Sequence, residues 1–175
     1  MPSKLLPFRD YDEHEVINLF KYAGTIPVDQ GTIVSISEGW TQSQNTELLG
    51  AVGKSYNNTV SDRYGVTASV NAAGTGDANP LGMLLHSVKE EDENGEKLIY
   101  NPRKVAEMEV VLSGQAVPIV SRGVFLYSGS AIQAQTVTAG QKLYSAADGL
   151  LTTGNHLGAQ VAVAQALGAV DTHGS

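Results

Sequence analysis

Histidine is the first residue type to test for chemistry in this sequence, because imidazole is both a common metal ligand and a general base. The sequence contains His14, His86, His156 and His173. None of these lies at the H-x-x-x-H spacing that places two imidazoles on one helix face. The serines lie outside any G-x-S-x-G nucleophile elbow, and there is no cysteine. We therefore expect a protein that is not an enzyme and that uses no cofactor.

Acidic residues and glycines provide two weaker signals. Glu90–Glu93 precedes Asn94-Gly95, which is typical of a solvated hairpin tip. A calcium site is the alternative, since carboxylate oxygens suit hard cations, but the D-x-D-x-D-G pattern is absent. Glu107 and Glu109 alternate with apolar neighbours, which predicts the polar face of a strand. Gly74–Asp77 begins like a phosphate loop but lacks its lysine, so it predicts an ordinary loop.

The composition limits the class of protein. The chain has 175 residues, 42% of them hydrophobic and 17% charged, with a net charge of −7. This length supports one domain with a substantial core. An acidic surface repels phosphate backbones, and no apolar run approaches a membrane span, so neither nucleic acid nor a membrane is an expected partner. Residues 1–11 hold too short an apolar run for a signal peptide, so we expect synthesis in a cytoplasm.

Short apolar runs separated by turn residues predict strands over most of the chain. The predicted strands include residues 32–36, 64–70, 84–89, 97–100, 110–112, 116–120, 124–127, 142–144 and 150–153. Asp148-Gly149 and Asn94-Gly95 are the hairpin candidates. A V-x-x-G-x-x-[VL] pattern recurs at Val28, Val120 and Val137, where glycine would permit a tight turn. This pattern predicts an all-β fold, a small β-barrel or β-sandwich of short antiparallel strands.

Two segments differ from this pattern. Residues 1–24 predict an extended N-terminal arm, and within it residues 12–23 fit either a helix or a strand, with the strand favoured. Residues 25–175 then form a single β domain, in which the segment of about 50–80 is rich in loop residues. The final residues 171–175 have the composition of a turn, so a barrel edge beside them would need cover from another strand or subunit.

The last third of the chain is poor in charge. Residues 111–175 carry only Arg122, Lys142, Asp148 and Asp171. A surface with so few charges is hard to keep soluble, so much of this segment should be buried. It lies either in the core of the subunit or against other copies of the chain.

Four stretches resemble virion structural proteins of tailed bacteriophages. They are residues 1–4, with Tyr11 and Glu15–Phe20 after them, then Glu91–Tyr100 and Ser113–Ile119. The sequence is similar to capsid decoration, or cement, proteins. This resemblance implies a small β-barrel or β-sandwich protein that forms trimers or other homo-oligomers. It also implies a place on the outer surface of the capsid of the virion, where the partner is the major capsid protein.

The apolar residues of the arm and its continuation are our predicted capsid contacts, since a solvated tail would not hold so many. They are Leu5, Leu6, Phe8, Tyr11, Leu19 and Phe20. The charge-poor last third is the predicted contact between subunits of the trimer. The alternative is a virion fibre, tail or adhesin component that binds a host surface glycan through the same β framework.

Overall fold

The regular secondary structure of the described residues consists mostly of short β-strands with very little helix, which confirms the predicted all-β class. The structure is a computed structural model that describes residues 4–8, 10, 12–39, 59–61, 64–65, 68–77, 79–128, 132, 136–155 and 161–169. Its strands are β1 (Lys4–Pro7), β2 (Val16–Tyr22), β3 (Ile33–Glu38), β4 (Thr59–Ser61), β5 (Tyr64–Gly65), β6 (Ser69–Ala72), β7 (Pro80–Leu84), β8 (Ser87–Val88), β9 (Val110–Val111), β10 (Ala116–Val120), β11 (Phe125–Ser128), β12 (Lys142–Ser145), β13 (Leu151–Thr152) and β14 (Ala164–Gln165). One short helix, α1, covers Pro102–Glu107.

Strands β10, β2, β6, β3 and β7 close into a barrel in that order. All neighbours in the barrel are antiparallel except β2 and β6, which run parallel. Smaller sheets pack around it: β1 with β11, the three strands β13, β12 and β14, and the parallel pair β8 and β9. The two parallel pairs depart from the prediction of antiparallel strands throughout. Because the barrel is closed, most of its backbone hydrogen-bonding groups are not exposed for pairing with a strand of another chain.

Side chains that alternate along the barrel strands form hydrophobic clusters on both faces of the barrel wall. The interior cluster consists of Phe20, Tyr22, Val34, Ala68, Val70, Leu84, Val88, Val117 and Ile119. Ile33, next to Val34, points the other way and packs with Leu143 and Leu151 of the C-terminal sheet. Because successive side chains alternate between faces, a short apolar run can serve two clusters at once. This accounts for apolar runs such as residues 116–120 without any partner subunit.

The predicted turns form at the positions where a residue with positive φ is required. Asp148 and Gly149 both have positive φ, at 59° and 71°, and the Leu150 amide donates to the Ala147 carbonyl at 3.2 Å. This is the predicted hairpin turn between β12 and β13. Gly31 and Gly140 of the recurring V-x-x-G pattern also have positive φ, at 87° and 84°. The Asn94-Gly95 turn forms too, but it joins only a single bridge between Glu91 and Lys97.

The strand predicted at residues 97–100 and the strand face predicted at Glu107 and Glu109 are wrong. Leu98–Tyr100 is a 3₁₀ turn, and α1 follows at once. The Asn101 side chain accepts a hydrogen bond from the Lys104 amide at 3.3 Å, and Pro102 occupies the first helical position. An N-cap asparagine followed by proline is a helix start signal that outweighs the alternation of Glu107 and Glu109.

The predicted arm is mostly sheet in this structure. β1 pairs with β11, with Leu6 opposite Leu126, and β2 is a barrel strand with neighbours on both sides. The preference for a strand over a helix within residues 12–23 is thus confirmed, after a 3₁₀ turn at Glu13–Glu15. Much of the predicted loop-rich segment 50–80, and the predicted turn at 171–175, lie outside the described residues.

Candidate functional site

The six predicted capsid contacts divide by burial. Leu5 and Phe20 are both 7% exposed and belong to the core of the chain, so neither side chain is accessible to a partner. Leu6, Phe8 and Leu19 are 52%, 75% and 53% exposed. Tyr11 lies outside the described residues. The site that the arm presents is therefore smaller than the sequence suggested.

The exposed residues of the arm face outward from the sheet of β1 and β11. Leu6 lies directly opposite Leu126, which is 61% exposed. Phe8 continues the same register, since its amide donates to the Val124 carbonyl at 2.8 Å. Residues two apart on a strand share a face. Leu6, Phe8 and Leu126 therefore form one apolar surface, which we name the outer strip.

The opposite face of this sheet explains why the outer strip stays outside. Leu5 packs with Leu85 and Val120, which belong to the barrel wall or follow it, and Phe125 and Tyr127 pack against the same cluster. An isolated two-stranded ribbon is only marginally stable in water. Here the barrel covers one face and fixes the register, so the other face must carry its leucines and phenylalanine in solvent.

Leu19 is exposed for a different reason. Val117 pairs with Phe20 and Ile119 with Ile17, so two residues of β2, Asn18 and Leu19, lie opposite one residue of β10. This β-bulge turns both Asn18 and Leu19 outward and returns Phe20 to the interior. Leu19 thus belongs to the outside of the barrel and is not part of the outer strip.

Leu126 is not among the predicted contacts, although residues 124–127 were predicted as a strand. The alternation of that strand separates Leu126 from Phe125 and Tyr127, but the pairing with β1 is needed to know which face the barrel covers. That pairing joins residues far apart in the sequence, and no local pattern encodes it.

A cleft with a volume of about 520 Å³ is the second candidate site. It lies between the loop from Gly24 to Thr32, strand β6, Tyr127 of β11 and the turn after β12. Its polar lining includes Asp29, Thr32, Asn71 and Asp148. These residues were not predicted as a site, because they come from three separated segments of the chain.

Main-chain hydrogen bonds hold the walls of the cleft in place. The Gly149 amide donates to the Ala73 carbonyl at 2.8 Å, which fixes the hairpin turn against β6. The Thr32 hydroxyl donates to the Asp29 carbonyl, also at 2.8 Å, and closes the loop before β3. These contacts place Asp29 and Asp148 on walls of the same cleft.

The Tyr22 side chain links the cleft to the barrel core. Burial raises the pKa of its hydroxyl above the ordinary value, a hydrogen bond from the Ala72 backbone opposes this shift, and the charge of Asp148 adds to it. Gly24 covers this hydroxyl so closely that a Cβ at position 24 would lie 2.5 Å from the oxygen. Asp148 is therefore near enough to Tyr22 for its charge to act within the cleft.

The acidic turn considered as a calcium site uses its central carboxylate internally. Asp92 accepts hydrogen bonds from the Asn94 and Glu96 amides, both at 2.8 Å, and contacts the Lys104 ammonium. The hydrogen bond from Lys104, then that from the Glu96 amide, holds the pKa of Asp92 below its ordinary value. Within the described residues, no three His, Asp or Glu side chains come together in a way that could hold a metal ion.

Comparison with known proteins adds no assignment: the chain matches no protein-family model, no curated protein and no solved structure. None of the helices in the described part of the chain is long and apolar enough to cross a membrane.

Proposed function

We propose that this chain is a non-enzymatic capsid decoration protein that binds the outer surface of a bacteriophage head. In this role it stabilises contacts between major capsid proteins. The outer strip is the observation that carries the proposal. It presents three large apolar side chains, each more than half exposed, on a sheet face that the barrel does not cover.

The outer strip supports binding to a shell better than an internal role. Exposed leucines scattered singly are normal on a protein surface, but a contiguous apolar group marks an interaction site. Leu6 and Leu126 are cross-strand neighbours, so their side chains form one continuous surface. A specific interface usually buries about 1,200–2,000 Å² in total, so we assign the strip to the centre of a larger contact.

Many copies of a weak contact are enough for this function. An individual contact of micromolar affinity corresponds to about −8 kcal/mol. If the chain forms homotrimers, each trimer engages several shell subunits at once, and avidity adds to the single-site affinity. We assign the contacts between subunits of the trimer to the part of residues 111–175 outside the outer strip, where Val161 and Leu167 remain exposed after the core is filled.

Co-sedimentation with purified heads of the phage that encodes the chain tests the proposal. The test variant is Leu6→Ser/Phe8→Ser/Leu126→Ser. Burying the exposed parts of these side chains is worth roughly 3–4 kcal/mol. The triple variant should therefore bind heads at least about a hundredfold more weakly. The matched control is Ile36→Ser/Ile99→Ser/Tyr100→Ser, which removes three apolar side chains that are 49%, 66% and 84% exposed and lie outside both the strip and the assigned trimer contact.

Two results would contradict this proposal. One is equal binding of the test and control variants to heads. The other is dissociation of the test variant into monomers, measured by sedimentation velocity, which would make the strip a contact between copies of the chain. Cryo-electron microscopy of the particle provides the independent measurement, and density for the chain inside the shell would exclude the role.

A further inference from the structure

The cleft between the Gly24–Thr32 loop and the β12–β13 turn has a lining that the decoration role does not use. Its volume of about 520 Å³ falls in the range of ordinary small-molecule sites. It is separate from the outer strip, whose residues do not line it. The chemistry of its walls determines what it could hold.

The lining is rich in hydrogen-bond acceptors and negative in charge. Asp29 and Asp148 each contribute a carboxylate, and none of the described residues that line the cleft is Lys, Arg or His. The Oδ1 atom of Asn71 is buried and accepts no hydrogen bond within the described residues. A buried acceptor without a donor is unfavourable, so the cleft favours a ligand that brings donors and positive charge.

Aromatic residues in the cleft favour the same ligand. Tyr22 and Tyr127 are both lining residues, and a cation over the face of a tyrosine is attracted by the ring quadrupole. Gly31 permits this arrangement, since a Cβ at position 31 would overlap the Tyr127 ring. An anionic ligand such as a phosphate or a sialic acid would instead face two carboxylates.

Charge separates an organic cation from a neutral sugar. Guanidinium and ammonium groups only donate hydrogen bonds, whereas each sugar hydroxyl both donates and accepts. The cleft offers donors as well as acceptors, since Tyr22, Thr25 and Asn71 carry a hydroxyl or an amide N–H. A cation is attracted by the carboxylates of Asp29 and Asp148, and a neutral sugar lacks this attraction.

We propose that this cleft binds a guanidinium or primary ammonium group, supplied either by a side chain of a partner protein or by a small organic cation. Asp29 and Asp148 neutralise the charge, Asn71 accepts one of its hydrogen bonds, and the two tyrosines flank it. This proposal does not depend on the decoration role, and each can fail without the other.

Titration followed by ¹H–¹⁵N correlation NMR tests the proposal on the full chain. The probe is N-acetyl-arginine amide, and the matched neutral probe is N-acetyl-citrulline amide, which has the same shape without the charge. We expect saturable shifts at Asn71, Ala72 and Gly149 with the arginine probe only. Asp148→Asn and Asp29→Asn should each weaken binding about fivefold. Asparagine tolerates the positive φ of position 148, so the turn should persist.

Two further arms identify the source of the group and the alternatives. If a partner side chain is the ligand, a peptide whose only charged group is one internal arginine should bind at least as tightly as agmatine, and the reverse order indicates a free cation. Glu90→Gln, which makes the same charge change outside the cleft, should leave binding unchanged. The proposal is overturned if the arginine probe produces no saturable shift, if citrulline shifts the same amides equally, or if only neutral methyl glycosides bind.

Discussion

Leu5 and Leu6 provide the most direct test of how the arm is used, because they are the same residue type at adjacent positions of β1. The barrel buries Leu5, whereas Leu6 is half exposed. Replacing each in turn by alanine removes the same atoms from opposite faces of one strand. Any difference between the two variants therefore reports the face and not the chemistry of the substitution.

The expected magnitudes follow from burial. Leu5→Ala leaves a cavity beside Leu85 and Val120, and since such substitutions cost about 2–5 kcal/mol, we expect about 2–3 kcal/mol for this small peripheral cluster. Leu6 already exposes 52% of its surface, so Leu6→Ala should lower the free energy of unfolding by less than about 1 kcal/mol. For a chain of this size, Leu5→Ala should lower the Tm by roughly 5–10 °C.

Urea denaturation at low protein concentration, followed by tryptophan fluorescence and circular dichroism, measures both variants without shell or oligomer contacts. An unchanged m-value would show that the change lies in stability. Equal losses at the two positions, or a larger loss for Leu6→Ala, would refute the register of β1 against β11. A slip of one residue exchanges the two faces, so it would also remove Leu6 and Phe8 from the outer strip.

Three further outcomes test other parts of the structure. The lowered pKa of Asp92, due first to the Lys104 hydrogen bond, stabilises the fold above the ordinary carboxyl pKa, and this stability is lost as the pH falls through the lowered value. Asp92→Asn should therefore be less stable than the parent near neutral pH, and the difference in urea midpoint should vanish in acid; a gap that persists there would contradict the ion pair. Gly149→Ala should destabilise the chain by more than about 2 kcal/mol, because a Cβ would lie 2.5 Å from the Ile33 carbonyl oxygen. Gly140→Ala, with a similar φ but no atom within 4 Å of its Cβ, should lose only about 1 kcal/mol, and equal losses in thermal unfolding would show that Gly149 is not crowded. Glu109→Gly should raise the Tm by a few degrees, because Glu109 follows the C-cap residue of α1 with φ at 51°, a conformation that glycine adopts without strain; a lower Tm would mean that its side chain stabilises the helix end.

The sequence predicted the turns and strands whose conformation depends on residues close together in the chain. Asp148-Gly149 specifies its hairpin through the positive φ of both residues, and residues 116–120 and 124–127 gave strands close to their predicted bounds. The strand prediction at α1 was wrong because the spacing of the charged residues there fits both the alternation of a strand and the periodicity of a helix. The Asn101-Pro102 start signal favours the helix, and the hydrogen bond from the Lys104 amide shows why.

The candidate sites depend on contacts that no local pattern contains. The predicted contact set treated every apolar residue of the arm as one surface, but Leu5 and Phe20 are core residues. The bulge in β2 changes the face of Leu19 relative to simple alternation. The cleft draws its carboxylates from residues 29 and 148, which only the closed fold brings together. Burial of a side chain in these cases is decided by tertiary pairing.

Strand β11 shows how one alternation separates the two proposals. Leu126 faces outward into the outer strip, and its neighbour Tyr127 faces inward, where it packs under β1 and also lines the cleft. A substitution at Tyr127 would remove a wall of the cleft and support for the sheet together, so its effect on either binding event would be ambiguous. Leu126 and Asp148 avoid this problem, because each lies in only one of the two sites. If Leu126→Ser weakens head binding and leaves the arginine titration unchanged, while Asp148→Asn does the reverse, the two faces of this strand act independently.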